Sequence, residues 1–491
     1  MNNKANSSFK SKAVSAMAWS AGLQTASQVL NFILGIYLAR LLTPTDFGLV
    51  AMVLVFVAFS ELLTNFGLSS AIIQKQNITQ SHYYSAYWFS AALGAILSAL
   101  MFFASGAIAE FYDSMLVKEI SQALSCIFLA SSICAIPTAK LQKELLHKKT
   151  GTISLVSSLI GGLAGVACAL ADFSYWSIVV QWLTVNWLKA LLLHIAAGFR
   201  IKLTFSTVAL KELLSFSVIV FSTQTLRKIT VQFDKLIVGK FIDAATLGLY
   251  NRAHELMSVP TKNVARVVSG VMFPALSSIQ NDKQRVANIY LKTIGVIALI
   301  SFPLLIGVAV VAPYFIEVVL GSKWLNMTPY LRFFCYLGLL QSLVTITGII
   351  YLSQGKPKLQ LKINLFNQPL QLASVFFGIQ YGMEMMLISY FLAYLISSLV
   401  TWYFVTDLLG ITILDILSAV SGVLVTSIFM LLVILSIDTW LLNDELSALM
   451  KLLALSSAGG LAYLSSSIIV KPEPFIALVG LIQERAKQRF S

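Results

Sequence analysis

Residues 225–235 read TLRKITVQFDK, and they occupy the middle of a segment, 211–241, that is otherwise apolar enough to span a bilayer. The charged members of this stretch are Arg227, Lys228, Asp234 and Lys235. A charged side chain at the bilayer centre costs about 2.5–3.5 kcal/mol on insertion scales, so such charges persist where they face water, a partner or a ligand. Three cations against one anion predict a cavity that receives something negative.

The composition places this stretch in a polytopic membrane protein. Of the 491 residues 58% are hydrophobic and only 11% are charged, whereas soluble domains carry about 25% charged residues. The first apolar segment is too long for the core of a signal peptide. We therefore expect no cleavable signal, and the segment is read as the first spanning helix.

Windows of about 20 apolar residues predict an all-α fold with fourteen transmembrane helices. The predicted spans are 14–39, 47–71, 84–107, 117–139, 151–171, 174–197, 212–239, 246–273, 290–312, 328–353, 359–380, 384–405, 414–437 and 446–470. With the N-terminus in the cytoplasm, 21 of the 34 Lys and Arg residues fall in inner segments and four in outer loops. This bias follows the positive-inside rule and predicts that both termini are cytoplasmic.

An internal repeat relates the two halves of the chain. When residue n is aligned with residue n+200, Arg40–Leu49 meets Lys240–Leu249, and the hydropathy agrees without gaps. The repeat contains six helices, so both copies have the same orientation and are related by a pseudo-two-fold axis along the membrane normal. The predicted domains are two six-helix lobes (1–200 and 201–410), helices thirteen and fourteen (411–471) and an amphipathic cytoplasmic tail (472–491). The tail either lies on the inner membrane surface or is solvated.

Polar residues recur at helical spacing on the helices that open each repeat and on predicted helix eleven. Anion-binding candidates are Arg227, Lys228, Lys235 and Lys262; hydrogen-bonding candidates are Gln24, Gln28, Asn31, Asn364 and Gln371. Each residue also has a structural interpretation, because intramembrane amides commonly join helices. Asp234 could pair with Arg227, and Glu255 could pair with Arg252 or Lys262.

Other functions find little support in the sequence. There is no phosphate-binding loop, no nucleophile motif and no carboxylate pair placed for acid–base catalysis, so we expect no enzyme activity and no cofactor. The histidines and cysteines lack metal-ligand spacing, which predicts no metal site. Because no loop is long enough for a folded domain, the net charge of +13 reports topology rather than nucleic-acid binding.

The segments Arg40–Leu49, Asp234–Phe241 and Leu247–Ala253 resemble the polysaccharide-transporter branch of the multidrug/oligosaccharidyl-lipid/polysaccharide (MOP) flippase superfamily, and the likeness covers the whole chain. It is greatest to exporters of the colanic-acid type. The resemblance implies a flippase that moves an undecaprenyl-diphosphate-linked oligosaccharide from the cytoplasmic to the outer leaflet of a bacterial inner membrane. It also implies two lobes that rock around a central cavity, with a groove for the lipid tail at helices thirteen and fourteen. A polysaccharide polymerase and a chain-length regulator are the partners it implies.

On this hypothesis the cations named above bind the diphosphate, the amides bind sugar hydroxyls, and Asp234 and Glu255 are candidates for a coupling proton or sodium ion. Three alternatives remain: a multidrug exporter of the same superfamily, a membrane glycosyltransferase or polymerase, and a non-transporting scaffold of the assembly complex. The excess of Arg and Lys argues against an exporter of cationic drugs. The lack of a large outer loop and of an acidic motif argues against a transferase.

Overall fold

The computed structural model describes residues 2–65, 67–199, 202–440, 446–477 and 479–480. For residues 2–18, 20–21, 60–65, 216, 218–231, 259–271 and 274 it describes the backbone alone. Of the described residues 88% are α-helical, and no strand occurs among them. An all-helical chain is what the bilayer demands, because a helix satisfies its backbone hydrogen bonds within one segment.

Sixteen α-helices carry this fold across the described residues. They are α1 (Asn2–Leu41), α2 (Pro44–Asn65), α3 (Leu68–Gln74), α4 (Gln80–Phe111), α5 (Met115–Lys143), α6 (His147–Leu170), α7 (Trp176–Ala196), α8 (Thr207–Phe241), α9 (Ala244–Ser278), α10 (Lys283–Val319), α11 (Thr328–Val344), α12 (Thr347–Ser353), α13 (Pro357–Gly378), α14 (Met383–Leu409), α15 (Ile413–Trp440) and α16 (Ala448–Val470). Short 3₁₀ turns precede α11 and α14.

Every predicted span falls on one of these helices or on a broken pair. Within the described residues, nine helices are long and apolar enough to cross a membrane. The multi-pass all-helical class is thus confirmed, and the count of fourteen spans stays a prediction.

Two predicted spans are interrupted in the structure. Gly67 separates α2 from α3 with φ +70°, and a Cβ at this position would lie 2.6 Å from the carbonyl oxygen of Ser217 in α8. A glycine is therefore required both by the left-handed backbone and by the close approach of α8. The second interruption separates α11 from α12.

The first of two compact units comprises Met1–Gly248. Its centre is α5, which is the most buried of the candidate spans and packs against α2, α4 and α7. In the same unit α1 packs against α6, while α8 packs against α2, α3 and α4. The second unit comprises Leu249–Ser491 and is built around α10, which packs against α11, α15 and α16. The predicted lobe boundary at residue 200 stays a prediction.

The start of the C-terminal tail is packed against the second unit. Pro474 approaches Gly295 in α10, and Pro472 approaches Gly422 in α15, where a Cβ would lie 3.2 Å from the proline Cβ. Phe475 contacts the core cluster that contains Tyr290 of α10. These contacts fix the chain as it leaves α16, so the tail begins in a defined place.

Two glycines bring α6 into close contact with α7. A Cβ on Gly161 would overlap Val185 of α7 and would lie 3.0 Å from the carbonyl oxygen of Gln181. One turn on, a Cβ on Gly165 would lie 2.9 Å from the Cβ of Gln181. This small-xxx-small pair is a helix-packing contact, as membrane proteins commonly use in place of hydrophobic attraction.

We expect Gly161→Ala to lower the free energy of unfolding by about 1–3 kcal/mol, because the added methyl forces α6 away from α7. The matched control is Gly106→Ala in α4, where a Cβ would meet nothing within 4 Å. Thermal unfolding of the two purified variants and the parent in one detergent would measure the effect. Equal melting temperatures for Gly161→Ala and the parent would contradict the close packing.

Candidate functional site

Helix α1 has an exposed polar face that is distinct from its exposed apolar face. Gln24 and Asn31 are exposed and Gln28 is half-buried; their spacing places all three on one side of the helix. Val29, Ile33 and Tyr37 are exposed on the opposite side, while Leu34 and Leu38 are buried between the two faces. The apolar exposed side suits lipid. The polar side suits water or a ligand, since an exposed amide in hydrocarbon is costly.

Helix α8 carries the charged stretch 225–235. Asp234 and Lys235 are half-buried, and Asp234 Oδ1 accepts the Lys235 backbone N–H at 2.8 Å. The side chains of Arg227 and Lys228 lie outside the described residues, as does that of Lys262 in α9. The predicted pairing of Asp234 with Arg227 falls on the same undescribed residues.

In α9, the charged residue Arg252 forms an ion pair with Glu255. Arg252 Nη1 lies 2.8 Å from Glu255 Oε2, and Asn251 Nδ2 donates to Glu255 Oε1 at 3.2 Å. This is one of the structural pairings that the sequence allowed. The glutamate side chain is 49% exposed, so the pair reaches the surface of its unit rather than its core.

The amides of α13 divide into two groups. Asn367 Nδ2 donates to Thr401 Oγ1 at 3.1 Å, and Gln371 Nε2 donates to Ser397 Oγ at 3.3 Å, so both bind α14. Asn364 is exposed, one turn before Asn367. Gln371 was predicted to bind sugar, and in the structure its amide joins α13 to α14. Asn364 is accessible to another partner.

A polar cluster that the sequence analysis did not single out joins α8 to α3 and α4 at their predicted inner ends. Glu212 Oε2 lies 2.7 Å from Lys75 Nζ and 3.1 Å from His82 Nε2. The Thr79 backbone N–H donates to His82 Nδ1 at 3.2 Å, which leaves the proton on Nε2 to face the glutamate. No spacing rule could reveal this cluster, because Glu212 is 130 residues from His82.

The loop before α8 is tied to α4 as well. Trp88 Nε1 donates to the Lys202 carbonyl oxygen at 2.9 Å, and the Ser206 backbone N–H donates to Ser85 Oγ at 2.8 Å. These bonds and the Glu212 cluster hold the N-terminal end of α8 to the N-terminal helices. Among the residues whose side chains the structure describes, no group of three or more His, Cys, Asp or Glu could hold a metal ion.

Comparison with solved structures defines the class of the fold. The chain resembles the lipid II flippase MurJ in an inward closed conformation, with a TM-score of 0.73 and 16% identity over 92% of this chain and 98% of that one. It also resembles an inward-facing multidrug resistance MATE family transporter of the MOP superfamily, with a TM-score of 0.62 and 14% identity over 81% of this chain and 98% of that one. The chain therefore has the fold that these two transporters share.

Sequence comparison then gives the family. Residues 37–329 match the model of the polysaccharide biosynthesis protein family, and the chain belongs to this family, as the resemblance predicted. It is 26% identical to an uncharacterized membrane protein in the cps region of Klebsiella pneumoniae over 97% of this chain and 99% of that protein. It is also 26% identical to the lipopolysaccharide biosynthesis protein WzxC of Escherichia coli over 76% of each. The chain is thus a multi-pass membrane protein of the polysaccharide biosynthesis family.

The two groups of amides on α13 lead to a prediction. We expect Asn367→Ala to lower the free energy of unfolding by about 0.6 kcal/mol, the average value of an interhelical hydrogen bond in a membrane, and Asn364→Ala to leave it unchanged. Thermal unfolding of both variants, with Thr401→Val to close a double-mutant cycle, would measure the difference. A larger loss for Asn364→Ala than for Asn367→Ala would reverse the assignment.

Proposed function

We propose that this protein is a flippase that moves an undecaprenyl-diphosphate-linked oligosaccharide from the cytoplasmic to the outer leaflet of a bacterial inner membrane. Membership of the polysaccharide biosynthesis family carries the proposal. The names of similar proteins point the same way: teichuronic acid biosynthesis protein TuaB of Bacillus subtilis and succinoglycan biosynthesis transport protein ExoT of Rhizobium meliloti. The product would be an exopolysaccharide, a capsule or an O-antigen.

The diphosphate of such a substrate needs cations at membrane depth. Helices α8 and α9 supply Arg227, Lys228, Lys235 and Lys262 as its candidate ligands. A hydrogen bond to a charged group contributes about 1.5–3 kcal/mol, and several of these together would offset the loss of the diphosphate's hydration. The lipid tail would stay in the bilayer, beside helices α15 and α16.

The sugars need hydrogen-bonding groups that lipid does not cover. The polar face of α1 (Gln24, Gln28 and Asn31) meets this need, because Gln24 and Asn31 are exposed and the face lies opposite the apolar exposed face. Asn364 on α13 is also exposed. Gln371 would contribute only if its amide left Ser397.

Transport would proceed by alternating access of two lobes, with both termini in the cytoplasm. An inside-negative potential favours outward movement of an anion by about 2.3 kcal/mol per charge per 100 mV. Asp234 and Glu255 are the candidates for a coupling proton or sodium ion, and a cation at Glu255 would have to displace Arg252. A polysaccharide polymerase and a chain-length regulator would receive the product.

We expect the triple replacement Arg227→Gln, Lys228→Gln and Lys235→Gln to reduce surface polysaccharide at least about tenfold, because each lost charged contact weakens diphosphate binding by more than about 1 kcal/mol. Export would be measured in a deletion strain at matched protein level.

The matched control replaces two cations on the predicted outer side, Lys118→Gln and Lys323→Gln, which leaves the inner positive charge and hence the topology intact. It should export like the parent. Parental export by the triple variant would contradict the diphosphate role of these cations.

A second prediction concerns the polar face of α1. We expect Asn31→Leu to reduce export about two- to tenfold, the value of one neutral hydrogen bond, and Val29→Leu on the opposite face to have no effect. Export and thermal stability would be measured together. If Asn31 faced lipid, its replacement by Leu would raise the melting temperature and leave export unchanged, which would refute the assignment.

A further inference from the structure

Pro313 removes one hydrogen bond from the interior of α10. The backbone N–H at this position would bond the carbonyl oxygen of Ala309, four residues earlier, but proline has no N–H. Ala309 is only 2% exposed, and a buried carbonyl group that lacks a donor costs free energy. A donor from outside the helix is therefore needed at Ala309.

Arg332 of α11 supplies this donor. Its Nε–H donates to the carbonyl oxygen of Ala309 at 3.1 Å. The guanidinium group is planar, so a bond at Nε also restricts the direction of its two Nη atoms. In the part of the chain that the structure describes, Arg332 makes no other hydrogen bond and no ion pair. The N–H groups on both Nη atoms are consequently available to a ligand.

Arg332 lies on the exposed side of an otherwise buried stretch of α11. Within residues 331–338, all are buried except Arg332 and Tyr336, and the tyrosine is 49% exposed. Phe334 packs against His254 of α9, with 5.0 Å between the ring centres. Both exposed residues are two positions from Phe334, which is about 200° around the helix. Arg332 and Tyr336 therefore face away from α9.

The predicted topology places this guanidinium near the outer surface of the membrane. Arg332 is four residues from the start of the predicted span 328–353, or about 6 Å along the helix axis, and Ala309 is three residues from the end of the predicted span 290–312. Side chains lean toward the N-terminus of their helix, which for α11 is the predicted outer end. The Arg332 side chain thus leans toward the lipid headgroups, and its charge requires an anion there.

We propose that Arg332 is the centre of a binding site for an anionic phospholipid of the outer leaflet, and that its Nη atoms bind the lipid phosphate. A planar guanidinium matches two oxygens of a phosphate in a bidentate pair. Tyr336, one turn further into the membrane, offers its exposed ring to the adjoining part of the acyl chains. Because Ala309 already holds the guanidinium, little conformational freedom is lost when the lipid binds. The site does not depend on the proposed function.

The direction of the side chain favours a phospholipid over the diphosphate of a transported lipid. The candidate ligands of that diphosphate lie on α8 and α9, whereas Arg332 faces away from α9. Two carboxylates on the predicted outer side, Glu317 in α10 and Glu384 in α14, are exposed, and neither of these described side chains pairs with Arg332. The lipid phosphate is thus the anion that this position can reach, and the carrier lipid serves as a competitor in the test.

Arg332→Gln separates lipid binding from the contact with Ala309. The Nε2 atom of glutamine is as many bonds from the backbone as the Nε atom of arginine, so the variant keeps the donor to Ala309 and loses the cationic end. For purified full-length protein in detergent, we expect this variant to raise the Kd for dioleoyl-phosphatidylglycerol about tenfold, since a bidentate charged contact is lost. Native mass spectrometry of the lipid adducts would measure the Kd.

The controls separate charge, fold and headgroup. Lys118→Gln, which removes a cation on the predicted outer side of the first unit, should bind phosphatidylglycerol like the parent. Arg332→Leu should lose lipid binding and also melt at a lower temperature without lipid, because the carbonyl of Ala309 then has no donor. Arg332→Gln should melt like the parent. Phosphatidylethanolamine with the same chains, which is zwitterionic, should bind the parent more weakly than phosphatidylglycerol.

A second measurement keeps Arg332 in place and decides the question if the variants do not fold. Parent protein in nanodiscs would be illuminated with a phosphatidylglycerol that carries a diazirine on its glycerol headgroup, and the labelled peptides would be identified. We expect labelling to concentrate on residues 309–336. The same amount of undecaprenyl diphosphate, or of glycerol 3-phosphate without acyl chains, should not reduce it.

Four results would overturn the site. Three are an equal Kd for Arg332→Gln and the parent, equal binding of the two phospholipids, and labelling spread evenly over the lipid-facing helices. The fourth is loss of labelling with undecaprenyl diphosphate or glycerol 3-phosphate, which would assign the site to the carrier lipid or to a soluble phosphate. None of these measurements requires transport, so a failure of the proposed function would leave their meaning unchanged.

Discussion

The interior of a bilayer contains no water that could form hydrogen bonds with the protein, and the rest of the structure depends on this constraint. Because of it, every described element is a helix or a turn between helices. Because of it, too, a polar side chain within a span is expected to face water, another protein group or a ligand. Helix α1 shows the consequence within a few turns. Its buried face packs on α6, its apolar exposed face suits lipid, and its exposed face with Gln24 and Asn31 suits neither lipid nor core.

The same constraint divides the intramembrane polar residues into those that hold the fold and those that do not. Asn367 and Gln371 bind hydroxyls of α14, and Glu255 binds Arg252. These residues would keep their partners in an empty transporter. Asn31 and Asn364 are exposed, and they are better candidates for groups that exchange water for a sugar. The distinction is one of neighbours rather than of residue type, since asparagines occur in both groups.

Much of the fold could be predicted from the sequence because hydropathy is a local signal. All fourteen predicted spans fall on helices, and the family resemblance was confirmed. The sequence could not predict the break at Gly67, because that glycine is required by the approach of Ser217, 150 positions away. It could not predict that Glu212 binds Lys75 and His82 for the same reason. The sequence also could not predict that Asn367 bonds to a neighbouring helix while Asn364 is exposed. This difference depends on the position of α14, which the spacing of polar residues does not give.

Gly48 and Gly248, in the first turns of α2 and α9, show where sequence and structure inform each other best. The alignment of residue n with n+200 already set Gly48 on Gly248, yet a glycine opening a helix can be a cap, a hinge or an accident of composition. The structure adds that each glycine lies against the backbone four residues before the other. In a membrane, apolar side chains gain little free energy by moving from lipid into protein. Helices are held together there partly by van der Waals contact between closely packed backbones. Such a contact weakens steeply once the helices separate, because dispersion attraction falls off within about 1 Å.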